Sequence, residues 1–267
     1  MNECLDNATI LHQETLSALH RISHQIFPFN LTYDKSCTEQ EVTTLNSLVN
    51  ILDTKCDSAV NVGTASTGIE LFLQKENFKV HHIRCSDMEE LCVMSSSWLV
   101  FGNVQLLDNV KTNSFCSELK TKQDLLEMLI AALKLLKIGG TFICHLSELL
   151  LRFTTGLVYI LHYLFESITV VKPFVSRLWH PDRYLVCKGF QGCSTHILNY
   201  LVAIHSKIVE LAASSDGAED VLEIVPMKHL YEQRFFKFIK QSNEKIAHLQ
   251  IQNIIRLESL FLTSHSC

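Results

Sequence analysis

A histidine and an aspartate stand where an α/β protein could carry out acid–base chemistry. His145 directly follows the apolar run Thr141–Cys144, and that run indicates a buried strand. Open α/β sheets bind ligands at the carboxyl ends of their strands. A neutral imidazole there could act as a general base. The alternative is a non-catalytic histidine at an inherited position. For Asp182, which precedes another apolar run, the alternatives are catalysis, capping of a turn, and an ion pair with Arg183 or Arg177.

Two glycines bound a turn that follows a predicted strand. Residues 58–62 (Ser-Ala-Val-Asn-Val) are typical of a buried strand, and Gly63-Thr-Ala-Ser-Thr-Gly68 comes directly after them. Glycines after the first strand of a nucleotide-binding sheet let a cofactor approach the backbone. Glycines also serve turns that need positive φ. Gly63 and Gly68 are therefore either cofactor contacts or turn residues.

Cysteine spacing and charge argue against several classes of protein. None of the ten cysteines forms a C-x-x-C pair, so we expect no zinc or other metal site. Without a signal peptide or a run of about 20 apolar residues, we expect an intracellular protein with no membrane contact.

The net charge of −5 argues against bulk electrostatic binding of nucleic acid. Arg234, Lys237 and Lys240, at three-residue spacing, form either a solvated helix face or a local contact with an RNA backbone.

Alternating strands and helices would position these residues. The two last predicted strands, 167–172 and 183–187, have no helix between them, so they must pair in antiparallel fashion. The pattern predicts an α/β, Rossmann-like fold with a mostly parallel sheet and a reversed last strand. The remaining predicted strands are 58–62, 79–83, 98–107 and 141–144, and the predicted helices are 1–27, 41–52, 69–75, 123–136, 153–165, 195–213, 227–239 and 243–261.

These elements suggest three parts. We expect a helical N-terminal extension over 1–55, a Rossmann-like domain over 56–190, and a helical C-terminal extension of the same domain over 191–267.

Several segments resemble the FtsJ-type ribose 2′-O-methyltransferases. They are Leu136–His145, Phe153–Phe165, Val171–Arg177 and Asp182–Gly189. Residues 199–204, 214–216 and 221–230 extend the resemblance to the eukaryotic mRNA cap methyltransferases, above all to the C-terminal, non-catalytic Rossmann domain of the type 2 cap-specific enzymes. The resemblance is specific over about 120–262 and faint before that. It implies a Rossmann-like methyltransferase fold, S-adenosylmethionine as the family's cofactor, and a nuclear and cytoplasmic location.

The family's catalytic set is altered in this chain. Family members use a lysine, an aspartate, a second lysine and a glutamate to position and activate the ribose hydroxyl. The resemblance places His145 where the second lysine stands and Asp182 where the glutamate stands. The register of the aspartate falls on Gln105, with Asp108 as the nearest acid, and the first lysine has no counterpart. The resemblance therefore implies that His145, Asp182 and Asp108 are degenerate, inactive positions.

The cofactor loop is altered as well. Residues 60–68 stand where the family has a strand followed by a Gly-Pro-Gly-Gly turn, and only Gly68 fits that glycine pattern. We therefore interpret Gly63 and Gly68 as a vestigial loop and expect this chain not to bind S-adenosylmethionine.

Three hypotheses follow from these observations. The first is a non-catalytic domain that supports cap 2′-O-methylation by a catalytic methyltransferase domain, in cis or in trans, with capped mRNA as a further partner. The second is an active methyltransferase with a shifted site made of His145, Asp108 and Asp182. The third is a pseudoenzyme that serves as a protein-interaction scaffold, which a large apolar surface patch would favour. We favour the first, and we expect the chain to be a C-terminal portion of a longer enzyme or a gene fragment.

Overall fold

One mixed sheet organises the part of the chain that the computed structural model describes, namely residues 58–63, 72, 79–83, 97–103, 117–173, 181–213 and 219–264. Six strands pair in the order β2-β1-β3-β4-β6-β5. The strands are β1 (Ser58–Gly63), β2 (Lys79–Ile83), β3 (Ser97–Asn103), β4 (Leu136–Leu146), β5 (Phe165–Val171) and β6 (Arg183–Phe190). The helices are α1 (Ser117–Lys120), α2 (Lys122–Leu135), α3 (Arg152–Leu164), α4 (Thr195–Ala213), α5 (Met227–Leu230) and α6 (Gln233–Ser264).

The strand directions confirm the predicted α/β, Rossmann-like fold. β2, β1, β3 and β4 run parallel to their neighbours, whereas β6 runs antiparallel to both β4 and β5. The link from β5 to β6 is too short for a helical crossover, so β6 reverses direction and inserts between β4 and β5. Each of the six strands predicted from the sequence overlaps one of these six strands.

The core lies between the sheet and the helices that cover it. α2 has apolar residues at helical spacing, so its inner face packs on β1 and β3, and it also contacts α4. Leu126 and Ile130 of α2 and Phe101 and Phe142 of the sheet are almost completely buried. Each such side chain stabilises the fold by about 1.5–3 kcal/mol relative to leaving it exposed.

The start of β4 differs from the sequence prediction. Residues 137–140, expected to end a helix, belong to the strand segment, and the register with β3 shifts between the pair Ser97–Leu136 and the pair Leu99–Thr141. Gly139 adopts a positive φ of 81° within this irregular stretch. Regular pairing begins at Thr141, where the sequence places the buried strand.

The C-terminal helices also correct the prediction. Instead of helices at 227–239 and 243–261, the chain forms the single turn α5 and then one continuous helix, α6. Neither glycine nor proline lies between residues 239 and 243, so nothing stops the helix there. Asn243 does not interrupt it either, because its side chain points inward and bonds to other elements rather than to its own backbone.

The C-terminal region is attached to the sheet domain. Lys122 of α2 is nearly buried and forms an ion pair with Asp220, and it also donates to the backbone oxygen of Val221 at 3.2 Å.

No helix among the described residues has the length and apolar character needed to cross a membrane. The predicted helices at 1–27 and 41–52 lie outside the described residues, and the proposed domain boundaries stay predictions.

Candidate functional site

Three charged or titratable side chains meet at the carboxyl end of β4. His145 pairs across the sheet with Tyr184 of β6. The Nε2 atom of His145 lies 3.7 Å from Oδ2 of Asp182, and Nζ of Lys172 lies 2.8 Å from Oδ1 of the same carboxylate. Lys172 also donates to the backbone oxygen of Asp182 at 2.6 Å. One carboxylate thus lies between an imidazole and an ammonium group.

The local strand geometry explains this arrangement. Lys172 directly follows β5 and Asp182 directly precedes β6, so the connection between the two strands brings them together. Residues 182 and 184 point to the same face of the strand because side chains alternate. Tyr184 is also the cross-strand partner of His145, and the centroids of their two rings lie 4.9 Å apart. The Lys172 side chain is only 3% exposed.

The ion-pair partner of Asp182 differs from the prediction. The sequence offers Arg183 or Arg177, whereas the pair in the structure is with Lys172, and Arg177 lies outside the described residues. Alternation along β6 turns Arg183 to the other face. Sequence reasoning missed Lys172, although it lies inside the segment Val171–Arg177 that carries the family resemblance.

A buried polar cluster lies on that other face. Glu118 accepts hydrogen bonds from the backbone N–H groups of Leu150 and Leu151, each at 3.1 Å. Burial raises the pKa of Glu118, and burial together with the charge of Glu118 raises the pKa of Glu148 to about 8. Burial also lowers the pKa of Arg183, while the two carboxyl groups act against that shift. The cluster fixes the loop after β4 and the first turn of α3.

Asn243 ties α6 to this cluster. Its Oδ1 atom accepts a hydrogen bond of 2.6 Å from Nη1 of Arg183, and its Nδ2 atom donates to the backbone oxygen of Leu149 at 2.8 Å. Nε of Arg183 donates to the backbone oxygen of Pro181 at 3.1 Å. One buried amide therefore joins the long helix, the loop after β4 and the start of β6.

Gly63 serves the packing of two strands. It ends β1 with φ at 101°, and a Cβ atom added there would lie 2.2 Å from the backbone oxygen of Asn103 on β3. Glycine is needed at this position because of the positive φ and the neighbouring strand, and the two predicted roles of Gly63 stay predictions. Gly68 and Asp108 lie outside the described residues.

Metal-binding and thiol chemistry receive no support from the residues described. No group of three or more histidine, cysteine, aspartate or glutamate side chains in those ranges could hold a metal ion. Cys144 and Cys187 are free and buried, and burial raises the pKa of both thiols. A raised pKa leaves little thiolate at neutral pH, so neither is suited to act as a nucleophile.

Curated proteins that resemble the chain are named as cap-specific mRNA 2′-O-methyltransferases, one of them inactive. The chain is 32% identical over 143 residues to cap-specific mRNA (nucleoside-2'-O-)-methyltransferase 1 of Danio rerio. The aligned segment is 53% of the chain and 17% of that protein. The Homo sapiens protein of the same name is 33% identical over 143 residues, with the same coverage. The inactive cap-specific mRNA (nucleoside-2'-O-)-methyltransferase 1B of Caenorhabditis briggsae is 32% identical over 135 residues, 50% of the chain and 16% of that protein. Over about half of its length, the chain is thus similar to part of the cap-specific mRNA 2′-O-methyltransferases.

This relationship confirms the resemblance seen in the sequence. The chain spans only about one sixth of the length of these cap methyltransferases. The narrower resemblance, to the C-terminal domain of the type 2 cap-specific enzymes, stays a prediction. No family model matches the chain.

Solved structures give weaker likenesses. A putative ribosomal RNA methyltransferase from Plasmodium falciparum aligns with a TM-score of 0.41 and 17% identity over 61% of the chain and 100% of that structure. A structure titled Alphavirus P23pro-zbd aligns with a TM-score of 0.42 and 16% identity over 69% of the chain and 27% of that structure.

Proposed function

We propose that this chain is a non-catalytic, methyltransferase-like domain that supports 2′-O-ribose methylation of the mRNA cap by a separate catalytic domain, in cis or in trans, in the nucleus and cytoplasm. The observation that carries the proposal is the state of Asp182. Its carboxylate is held by the nearly buried Lys172, and its neighbour at the end of β4 is His145.

The charges at this site argue against methyl transfer. A ribose hydroxyl is a weak nucleophile, and the family activates it with a standing positive charge at the position of His145. Histidine lacks the permanent positive charge that lysine carries. Lys172 does carry one, but the carboxylate of Asp182 neutralises it at 2.8 Å. The similarity to a relative named as inactive supports the same conclusion.

Gly63, the last residue of β1, offers no space for S-adenosylmethionine. Glycines in the loop after the first strand of a cofactor-binding sheet leave space for the cofactor to lie against the backbone. The space beside Gly63 is instead filled by the backbone of Asn103. We therefore expect no S-adenosylmethionine to bind against Gly63.

One observation favours a second candidate, an active methyltransferase with His145 as general base. Oδ2 of Asp182 lies 3.7 Å from Nε2 of His145, and a carboxylate in that position can orient an imidazole so that its other nitrogen accepts a proton. In this alternative, Nδ1 of His145 would take the proton of the ribose hydroxyl, and Asp108 would complete the site.

Calorimetry and a methyl-transfer assay distinguish the two candidates. The purified chain is titrated with S-adenosylmethionine and S-adenosylhomocysteine, and it is incubated with capped RNA and labelled S-adenosylmethionine, with a catalytic cap methyltransferase as positive control. The proposal predicts no heat at hundred-micromolar ligand and no transfer. Micromolar binding with transfer that His145→Ala abolishes would overturn it and establish the second candidate.

A further inference from the structure

The longest helix among the described residues carries a row of exposed cations. α6 has five lysines and arginines against two glutamates, a net charge of +3 in a chain of −5. Arg234, Lys237, Lys245 and Arg256 are all exposed. At 100° per residue they fall within an arc of about 100°, and about 33 Å of helix axis separates the first from the last. These four residues are called the cationic row below.

The cationic row lies on the solvent side of a helix whose other side is fixed in the fold. The buried residues of α6 are centred opposite the row, and they are Phe235, Ile239, Asn243, Ile246, Ala247, Gln250 and Ile254. The acidic neighbour Glu244 lies 3.8 Å from Lys240, so its charge is balanced by a lysine outside the row. The cations of the row are therefore oriented together toward solvent.

Two exposed aromatic residues lie close to the N-terminal end of α6, where the cationic row begins. Tyr231, three residues before Arg234, is 48% exposed, and its ring lies 5.4 Å from that of Phe236. Tyr163 of α3 is 57% exposed, and its hydroxyl donates to Glu232 at 3.3 Å. Exposed aromatic rings next to cations are the combination with which proteins bind single-stranded nucleic acid, by stacking on bases while cations contact phosphates.

We propose that the cationic row, together with Tyr231, binds the backbone of single-stranded RNA. The proposal goes beyond the proposed function, because it requires neither methyl transfer nor a cap. Local clustering removes the objection from the net charge of −5, since phosphates within about 10 Å interact with the row and not with distant carboxylates. An anionic membrane is a poorer partner, because a membrane-bound helix inserts an apolar face, and the apolar face of α6 from Phe235 to Ile254 is already buried in the fold.

The number of cations sets the expected salt dependence. Binding to a single strand releases counterions, and the slope of log K against log salt is about −0.7 for each phosphate contacted. Four contacts give a slope of about −3. At about 0.1 M salt, each contact contributes roughly fivefold in affinity.

Fluorescence anisotropy of the full chain with a labelled, uncapped oligouridylate of about 20 nucleotides tests the proposal. The variant R234Q/K237Q should bind about 25-fold more weakly at 0.1 M salt, with a slope near −1.5. Tyr231→Leu should weaken binding about tenfold and leave the slope unchanged. The control K134Q/K207Q removes the same charge from exposed positions on α2 and α4 and should bind like the unmodified chain.

Three results would overturn the proposal. They are no saturable binding at about 50 mM salt, equal losses in R234Q/K237Q and the control, and preferential binding to phosphatidylserine vesicles over the oligouridylate. Circular dichroism of each variant shows whether the fold is kept. Because the assay contains no S-adenosylmethionine and no cap, its failure leaves the proposed function standing, and a failure of the proposed function leaves the RNA result standing.

Discussion

The buried carboxyl group of Glu148 should make this protein less stable as the pH rises. Burial and the charge of Glu118 raise the pKa of Glu148 from an ordinary 4.5 to about 8. Between these values the folded state keeps a proton that the unfolded state releases. The stabilisation that Glu148 contributes is therefore fully present below pH 4.5, and it is lost as the pH rises through 8. The loss is at most about 5 kcal/mol, and about 2–3 kcal/mol of it falls between pH 6 and 8.

The assignment of charge within the cluster supports this sign. Arg183 is buried with two carboxyl groups near it, and one negative charge suffices to balance it. Glu118 takes that charge more readily, because the N–H groups of Leu150 and Leu151 donate to its carboxylate. Glu148 is then the group that stays protonated at neutral pH.

Denaturant unfolding at several pH values measures the effect. Glu148→Gln keeps the shape and a neutral side chain, so the difference in unfolding free energy between variant and unmodified chain should grow by about 2–3 kcal/mol, in favour of the variant, from pH 6 to 8. Glu219→Gln, at an exposed position, is the control and should show a constant difference. If the difference for Glu148→Gln does not change with pH, Glu148 is ionised in the folded protein and the reasoning is wrong.

Two further substitutions test the packing around the site. Gly63→Ala should lower the unfolding free energy by at least about 3 kcal/mol, because positive φ and a backbone oxygen 2.2 Å from the new Cβ both oppose it. Gly192→Ala has a similar φ of 98° but only a contact at 3.9 Å, so urea unfolding should show a cost of about 1 kcal/mol, and equal costs would contradict the steric argument. Asn243→Ala should cost about 3 kcal/mol, since it leaves a buried donor of Arg183 without its acceptor, whereas Asn253→Ala, which loses one bond within its own helix, should cost under about 1 kcal/mol. Similar unfolding midpoints for these two variants would refute the role given to Asn243.

Local patterns predicted the elements better than the contacts between them. Helix α4 coincides with its predicted range, and β6 runs opposite to its neighbours because a connection of eleven residues allows no helical crossover. The continuity of α6 was missed, since the inward bonds of Asn243 to Arg183 and Leu149 are long-range and leave no periodic signal. The pairing of Asp182 with Lys172 was missed for the same reason.

The candidate site shows how a fold can keep positions while it changes chemistry. The register of β4 and β6 places His145 next to Tyr184, and Asp182 follows from the same alternation, whichever side chains occupy these positions. Backbone hydrogen bonds hold that register, so it does not depend on a catalytic charge. What the side chains can do depends on residue type. Here Lys172, which the family resemblance did not assign to the catalytic set, neutralises the carboxylate of Asp182 that lies next to His145. The relationship to cap methyltransferases therefore predicts where to look, and the ion pair of Asp182 supports the proposal that this chain acts there without catalysing the transfer.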